Sequence, residues 1–148
     1  MNILFENSVL MITLIVWFCA QAIKVVIGVL RERRFNFRWF VGTGGMPSSH
    51  AAGVCALATT CGLIYGLEAP IFGLATVFAL ITMFDAQGVR RAAGNQAKIL
   101  NKILDTMFAG GIVSEGHLRE LLGHTPFQVI IGALLGVTMA IVLYPLWL

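Results

Sequence analysis

Charge is what this sequence has least of. Asp, Glu, Lys and Arg make up 11% of its 148 residues and hydrophobic residues 58%, whereas a soluble domain carries about 25% charged and about 45–50% apolar residues. Ten basic and seven acidic side chains cannot cover the surface of an ordinary soluble fold, and a mean hydropathy of +0.87 points to the bilayer as solvent. The same arithmetic excludes intrinsic disorder and a nucleic-acid domain. Cysteine is scarce as well. Cys19, Cys55 and Cys61 lie in apolar stretches without metal-ligand spacing, which excludes a disulfide framework and indicates buried thiols. The first eight residues carry Glu6 and neither Lys nor Arg. They lack the basic start of a cleaved signal peptide, so the first apolar segment is read as a retained membrane helix, despite a cleavage-like Ala20-Gln21-Ala22. The length suits a single domain over residues 1–148.

What is there is a set of charge-free runs. Residues 7–23, 39–67, 69–84 and 121–148 contain no Asp, Glu, Lys or Arg. A spanning helix needs about 20 mainly apolar residues, and the pattern predicts helices near 7–30, 49–67, 69–88 and 126–147. The second and third would form a tight hairpin around Glu68, Ala69 and Pro70. Arg31, Arg33, Arg34 and Arg38 lie in the first connection, and Arg90, Arg91, Lys98, Lys102 and Arg119 in the third. Only Glu68 and Glu6 mark the hairpin turn and the N-terminus. The positive-inside rule then puts both basic connections in the cytoplasm and both termini outside, in an inner or plasma membrane. Within the third connection, Val89, Ala92, Ala93, Gln96, Ile99, Leu100, Ile103, Leu104 and Met107 recur with helical spacing, with Arg91, Asn95, Lys98 and Lys102 on another face. That is an amphipathic helix expected against the inner membrane surface and ended by Gly110-Gly111, with a short second piece beginning at Ser114, His117 and Arg119. The expected fold class is therefore all-α: a polytopic integral membrane bundle of about four transmembrane helices plus a cytoplasmic amphipathic helix.

In so apolar a chain each polar group stands out. Lys24 sits about two turns before the end of the first span, with Arg31 seven residues on and on the same face. Lys24 reads equally as a functional intramembrane cation or as a lysine snorkelling to the headgroups. Gly42-Thr43-Gly44-Gly45-Met46-Pro47-Ser48-Ser49-His50 runs straight into the second span. Ser48 or Ser49 can cap that helix and leave free N–H groups for an anion, with His50 beside them; the plain alternative is a glycine-rich turn with an interfacial histidine. The fourth span opens Gly123-His124-Thr125-Pro126, with Thr125 as N-cap and Pro126 in the first turn. Asp85, Arg90 and Arg91 end the third span, where a basic anchor paired with Asp85 is the plain reading. Parity puts all of these residues on one membrane face. Two imidazoles, several cations and a helix N-terminus suit phosphoryl transfer, in which one histidine attacks phosphorus and the other protonates the departing alkoxide. No carboxylate cluster points to Mg²⁺ or Zn²⁺, so neither metal nor other cofactor is expected.

These residues resemble the divergent branch of the type 2 phosphatidic acid phosphatase superfamily, which also includes the vanadium-dependent haloperoxidases. Lys24 and Arg31 have the spacing of the first superfamily motif, with Glu32 in place of its proline. Pro47-Ser48-Ser49-His50 matches the second motif except for Ser49 in the glycine position. Of the third motif only the second half is visible, in the segment from Gly123 to Val129. The Gly-Gly-Met-Pro-Ser-Ser-His segment, the stretch from Asp85 to Gly94 and Gly-His-Thr-Pro look like signatures of the branch, and together they touch all four spans. The resemblance implies His124 as the nucleophile that forms a phosphohistidine and His50 as the general acid. It implies Lys24, Arg31, Ser48 and Ser49 as phosphate ligands. Leu118 stands where the third motif has arginine, leaving Arg119, Arg90 or Arg91 as candidates for that role. Gln128 stands where an aspartate would orient the nucleophile. A Gln carbonyl accepts an imidazole N–H but cannot stabilise an imidazolium as a carboxylate does, and Asp85 is a candidate source of that charge.

The expected activity is that of an integral-membrane lipid-phosphate phosphatase acting on a phosphomonoester or diphosphate headgroup at the cytoplasmic face, with a membrane lipid as its partner and no nucleic acid. Two alternatives stay open: a non-catalytic protein that binds anionic lipid or a phosphorylated ligand, and a structural subunit of a membrane assembly. Gly132, Ala133 and Gly136 are small enough to mediate helix association, within the chain or in a homo-oligomer.

Overall fold

In a computed structural model of the full chain, residues 6–33, 45–107 and 124–147 are described. Those residues are helical throughout apart from caps and turns. Five helices follow in order: α1 (Ser8–Glu32), α2 (Ser49–Tyr65), α3 (Pro70–Gln87), α4 (Val89–Met107) and α5 (Pro126–Leu143), with a closing 3₁₀ turn at Tyr144–Leu146. The Gly110-Gly111 stop, the Ser114–Arg119 piece and residues 42–44 lie outside the described residues.

Local chemistry sets the helix ends. Asn7 caps α1, its Oδ1 accepting the Leu10 N–H at 3.0 Å. Ser48 caps α2, its Oγ accepting the Ala51 N–H at 3.4 Å. Thr125 and Gln128 form a reciprocal capping box at α5, with Pro126 in the first turn. The hairpin turns at Gly66, whose φ of +88° is a left-handed conformation that suits a residue without Cβ. The Gly66 carbonyl accepts the Ala69 N–H at 3.2 Å, and Pro70 then starts α3.

The interior is built of small residues, and the large ones point outward. Ala20, Ala51, Ala52, Ala56 and Ala140 are fully buried, while Leu30, Leu74, Phe84 and Val142 are each at least 68% exposed. That inversion is expected where lipid rather than water surrounds a bundle, because little hydrophobic force separates a leucine from an acyl chain and close helix contact favours small side chains. Four threonine hydroxyls obey the same solvent. Thr60, Thr76, Thr82 and Thr138 each donate to the carbonyl four residues back at 2.8 Å, so that no water is needed. The three cysteines are free thiols, Cys55 and Cys61 buried and Cys19 half-buried.

Helix α2 is the hub. It packs against α1, α3 and α5, and α5 also meets α1. With 17 residues it is shorter than α1 and the span beginning at Pro126, at roughly 25 Å, and it is the most enclosed of the four apolar helices. The α2–α5 contact is backbone-close: a Cβ on Gly132 would run into the Ser48 carbonyl oxygen, and one on Gly136 into that of Ala52. Helix α4 follows α3 across Gly88, with hydrogen bonds Gly88 N to Phe84 O at 2.8 Å and Ala92 N to Gly88 O at 2.9 Å keeping the backbone ladder nearly continuous. The amphipathic pattern holds: Ile99, Leu100 and Ile103 are exposed, while Gly94, Ala97 and Asn101 are buried on another side.

Candidate functional site

The starts of α2 and α5, the end of α3 and the last third of α1 meet at one end of the bundle. The Gln128 carbonyl accepts the Ser48 N–H at 3.2 Å, tying the two capped helix starts together, and the Ala86 carbonyl near the end of α3 accepts the His124 N–H at 3.0 Å. His124 is thereby held by backbone before its side chain does anything. Ala51, Ala86 and Val129, all buried, close the space beneath this junction.

The imidazoles of His50 and His124 face each other with ring centroids 6.3 Å apart and planes inclined at 59°. His124 is 2% exposed. Its Nδ1 lies 3.3 Å from Gln128 Oε1, and the same oxygen accepts the Thr125 N–H at 3.0 Å. A carbonyl oxygen only accepts, so Nδ1 must be the donor. The neutral ring therefore carries its proton on Nδ1 and presents the Nε2 lone pair. Nε2 is buried, with no hydrogen-bond partner among the described residues. Burial pushes the His124 pKa below the ordinary histidine value; the Gln128 contact opposes this, the positive charges of Lys24 and His50 add to the lowering, and the Gly45 backbone opposes it slightly. That balance favours the neutral imidazole.

Lys24 is 6% exposed: its stem is enclosed and its charge is felt at His124. The stem passes Gly45, where a Cβ would sit 3.3 Å from Lys24 Cγ and where φ is +84°. The conformation favours glycine there, and a Cβ would also make the lysine stem give by a few tenths of an ångström. Gln21, one turn deeper in α1, is 5% exposed. Ser48 and Ser49 are 0% and 1% exposed, with the Ser48 hydroxyl engaged as the α2 cap.

The remaining expected residues are less gathered. Arg31 lies two turns beyond Lys24 and is exposed. Asp85 is half-buried in the last turn of α3, next to the Ala86 carbonyl that holds His124. Arg90 and Arg91 begin α4, directly after that turn; their side chains, and Leu118 and Arg119, lie outside what is described. Two contributors are backbone effects with no side-chain signature in the sequence: the Ala86 carbonyl that holds His124 and the Gly45 contact with Lys24.

A family model described as the divergent PAP2 family matches residues 5–139. The chain belongs to that family. It is also 40% identical over 151 residues to an "Uncharacterized membrane protein YuiD" of Bacillus subtilis (strain 168), covering 95% of this chain and 96% of the relative. No solved structure matches. As a divergent PAP2 family member with its apolar helices, the chain is an integral membrane protein, in agreement with the hydropathy pattern.

Proposed function

We propose that this protein is a metal-independent lipid-phosphate phosphatase acting at the cytoplasmic membrane face through a phosphohistidine. The observation that carries the reading is the setting of His124: a buried ring whose Nδ1 lies 3.3 Å from Gln128 Oε1, whose centroid is 6.3 Å from that of His50 and which feels the charge of Lys24. A neutral imidazole with a fixed tautomer is a nucleophile at neutral pH. In the first step Nε2 bonds to phosphorus, the bond from phosphorus to the lipid oxygen breaks, and protonated His50 gives its proton to that oxygen. In the second, His50 takes a proton from water, the hydroxide attacks phosphorus, and the N–P bond breaks to release inorganic phosphate. Lys24 and the free N–H groups at the α2 start balance the negative oxygens in both steps. Arg31, with Arg90 and Arg91 from the start of α4, supplies further positive charge at the mouth.

Phosphate release by the purified protein in detergent, measured over a panel of lipid phosphates, tests this. His124→Ala should lower turnover by at least about 10³-fold, the scale on which nucleophile removal acts elsewhere; equal release by the two proteins sinks the mechanism. A second reading, a non-catalytic receptor for a phosphorylated lipid, is favoured by one observation: Gln128, a neutral acceptor, contacts Nδ1, so the imidazolium formed in transfer has no adjacent carboxylate on its own helix. Tight vanadate binding without turnover is its expected signature.

A further inference from the structure

A single residue separates α3 from α4. The first helix ends at Gln87 and the second begins at Val89, so the regular helical hydrogen-bond pattern is interrupted at Gly88. The ladder holds on both sides of the break: the Phe84 carbonyl accepts the Gly88 N–H at 2.8 Å, and the Gly88 carbonyl accepts the Ala92 N–H at 2.9 Å. In a helix running regularly through this point, the Ala86 carbonyl would be committed to the N–H of Arg90, four residues on. With α3 ending at Gln87, it is instead one of the last carbonyls, which a helix leaves without an internal partner. It accepts the His124 N–H at 3.0 Å.

His124 depends on that acceptor. It precedes Thr125, the cap of α5, and an N–H ahead of a helix start has no partner within the helix. Ala86 and His124 are each 2% exposed, and a buried backbone donor without an acceptor is costly where no water reaches it. The Ala86 carbonyl fixes the backbone of His124, and Gln128 Oε1, 3.3 Å from Nδ1, fixes its ring. Together they set the imidazole 6.3 Å, centroid to centroid, from that of His50.

Residue 88 controls whether the carbonyl is free. Glycine is among the poorest helix formers and alanine is the best. A Cβ at Gly88 would lie 3.1 Å from the Phe84 carbonyl oxygen, so the backbone of the break would have to give by a few tenths of an ångström. We infer that Gly88 is a positioning residue for His124: its break between α3 and α4 frees the Ala86 carbonyl that holds the candidate nucleophile. A residue that favours helix at this position closes the break and returns the carbonyl to Arg90. The inference rests on the phosphatase reading for the chemistry of His124, and adds a residue that acts on it through the backbone without touching substrate.

Gly88→Ala and Gly88→Asn separate the two effects of a side chain here. Both add a Cβ, but alanine favours continuous helix whereas asparagine suits helix ends. The full chain in phosphatidylcholine nanodiscs serves for every measurement. Gly88→Ala should lower kcat for lipid phosphate by about tenfold or more and leave KM unchanged, as a displaced nucleophile does. It should weaken inorganic vanadate binding severalfold and speed amide exchange at His124 by about tenfold, while the thermal midpoint holds or rises. Gly88→Asn should stay close to wild type in all of these. Gly73→Ala, where a Cβ meets nothing within 4 Å, is the control for adding a methyl group to α3. Equal losses in the alanine and asparagine variants assign the effect to crowding and overturn the inference. Wild-type exchange at His124 in Gly88→Ala also overturns it, as does a lowered thermal midpoint, because closing the break adds helix. Weakened vanadate binding and faster His124 exchange in Gly88→Ala, with no phosphate release even by the wild type, keep the positioning role and overturn the phosphatase reading alone.

Discussion

Gln128 Oε1 accepts two N–H groups at once, the backbone of Thr125 at 3.0 Å and Nδ1 of His124 at 3.3 Å. One side chain therefore serves as the N3 half of a capping box and as the group that selects the tautomer of the neighbouring histidine. The helix start and the candidate nucleophile are coupled through a single oxygen, so changes at position 128 separate charge from geometry.

Gln128→Glu keeps the length of the side chain and the capping box while introducing a carboxylate. The carboxylate favours the imidazolium, so the His124 pKa rises. The acid limb of the kcat/KM profile, where the nucleophile becomes protonated, should move to higher pH, and any rate limited by imidazolium formation should increase. Gln128→Ala should instead release the tautomer and lower turnover, with a loss of stability of about 1 kcal/mol from the broken cap. pH profiles of the three proteins decide it; superimposable acid limbs for wild type and Gln128→Glu would remove the proposed role of position 128.

Burial of neutral His124 also makes stability depend on pH. Its folded pKa is depressed, so the unfolded chain binds the proton more readily than the folded one. Stability is at its full value above the ordinary histidine pKa of about 6.5 and falls as pH drops from there through the depressed folded value. In His124→Asn, which retains a hydrogen-bonding side chain, that part of the acid sensitivity should vanish. Thermal unfolding in detergent between pH 7.5 and 5 would measure it, and an unchanged slope in the variant would contradict the assignment.

The spans were legible because bilayer thickness demands long apolar runs, and the observed α1, α3 and α5 bounds lie within a few residues of the expected helices 7–30, 69–88 and 126–147. The apolar pattern carries α2 to residue 67, whereas the helix ends at Tyr65, since a glycine at positive φ, not the end of apolarity, terminates it. His50, His124 and Lys24 could be assigned to one end from parity alone, and they do converge there. The position of Arg31 shows the limit of that reasoning. Helical spacing puts it on the face of Lys24, but Arg31 is exposed two turns further on, at the mouth rather than among the buried groups. The Ala86 carbonyl and the Gly45 contact depend on how the backbones of separate helices approach, information that no single residue carries.

The approach of α5 to α2 yields a test of assembly. Gly132 and Gly136 abut the carbonyl oxygens of Ser48 and Ala52, which are backbone atoms that cannot rotate away. Gly136→Ala should separate the helices and cost about 1–3 kcal/mol, the range for overpacking. Gly132→Ala acts one turn from the Ser48–Gln128 link and should add a loss of activity beyond its effect on stability. Gly73 makes the control, since a Cβ there meets nothing within 4 Å: Gly73→Ala should leave both properties unchanged or slightly raise stability.

Helix α4 offers a different kind of prediction, because its chemistry is aimed at lipid. It starts where α3 ends, exposes Ile99, Leu100 and Ile103 on one side and carries the exposed Lys98 and Lys102 on another. A helix of that pattern lying in the headgroup layer buries the apolar stripe while its ammonium groups meet anionic lipid, each worth about 1 kcal/mol at a negatively charged surface. Amide exchange across residues 92–104 should therefore slow when phosphatidylglycerol replaces part of the phosphatidylcholine in the nanodisc. Lys98→Glu combined with Lys102→Glu should abolish that lipid dependence and leave exchange in α1, α2, α3 and α5 untouched. Exchange that is insensitive to phosphatidylglycerol in the wild type would mean that the charged face of α4 does not meet the membrane surface, and that its apolar stripe is covered by protein instead.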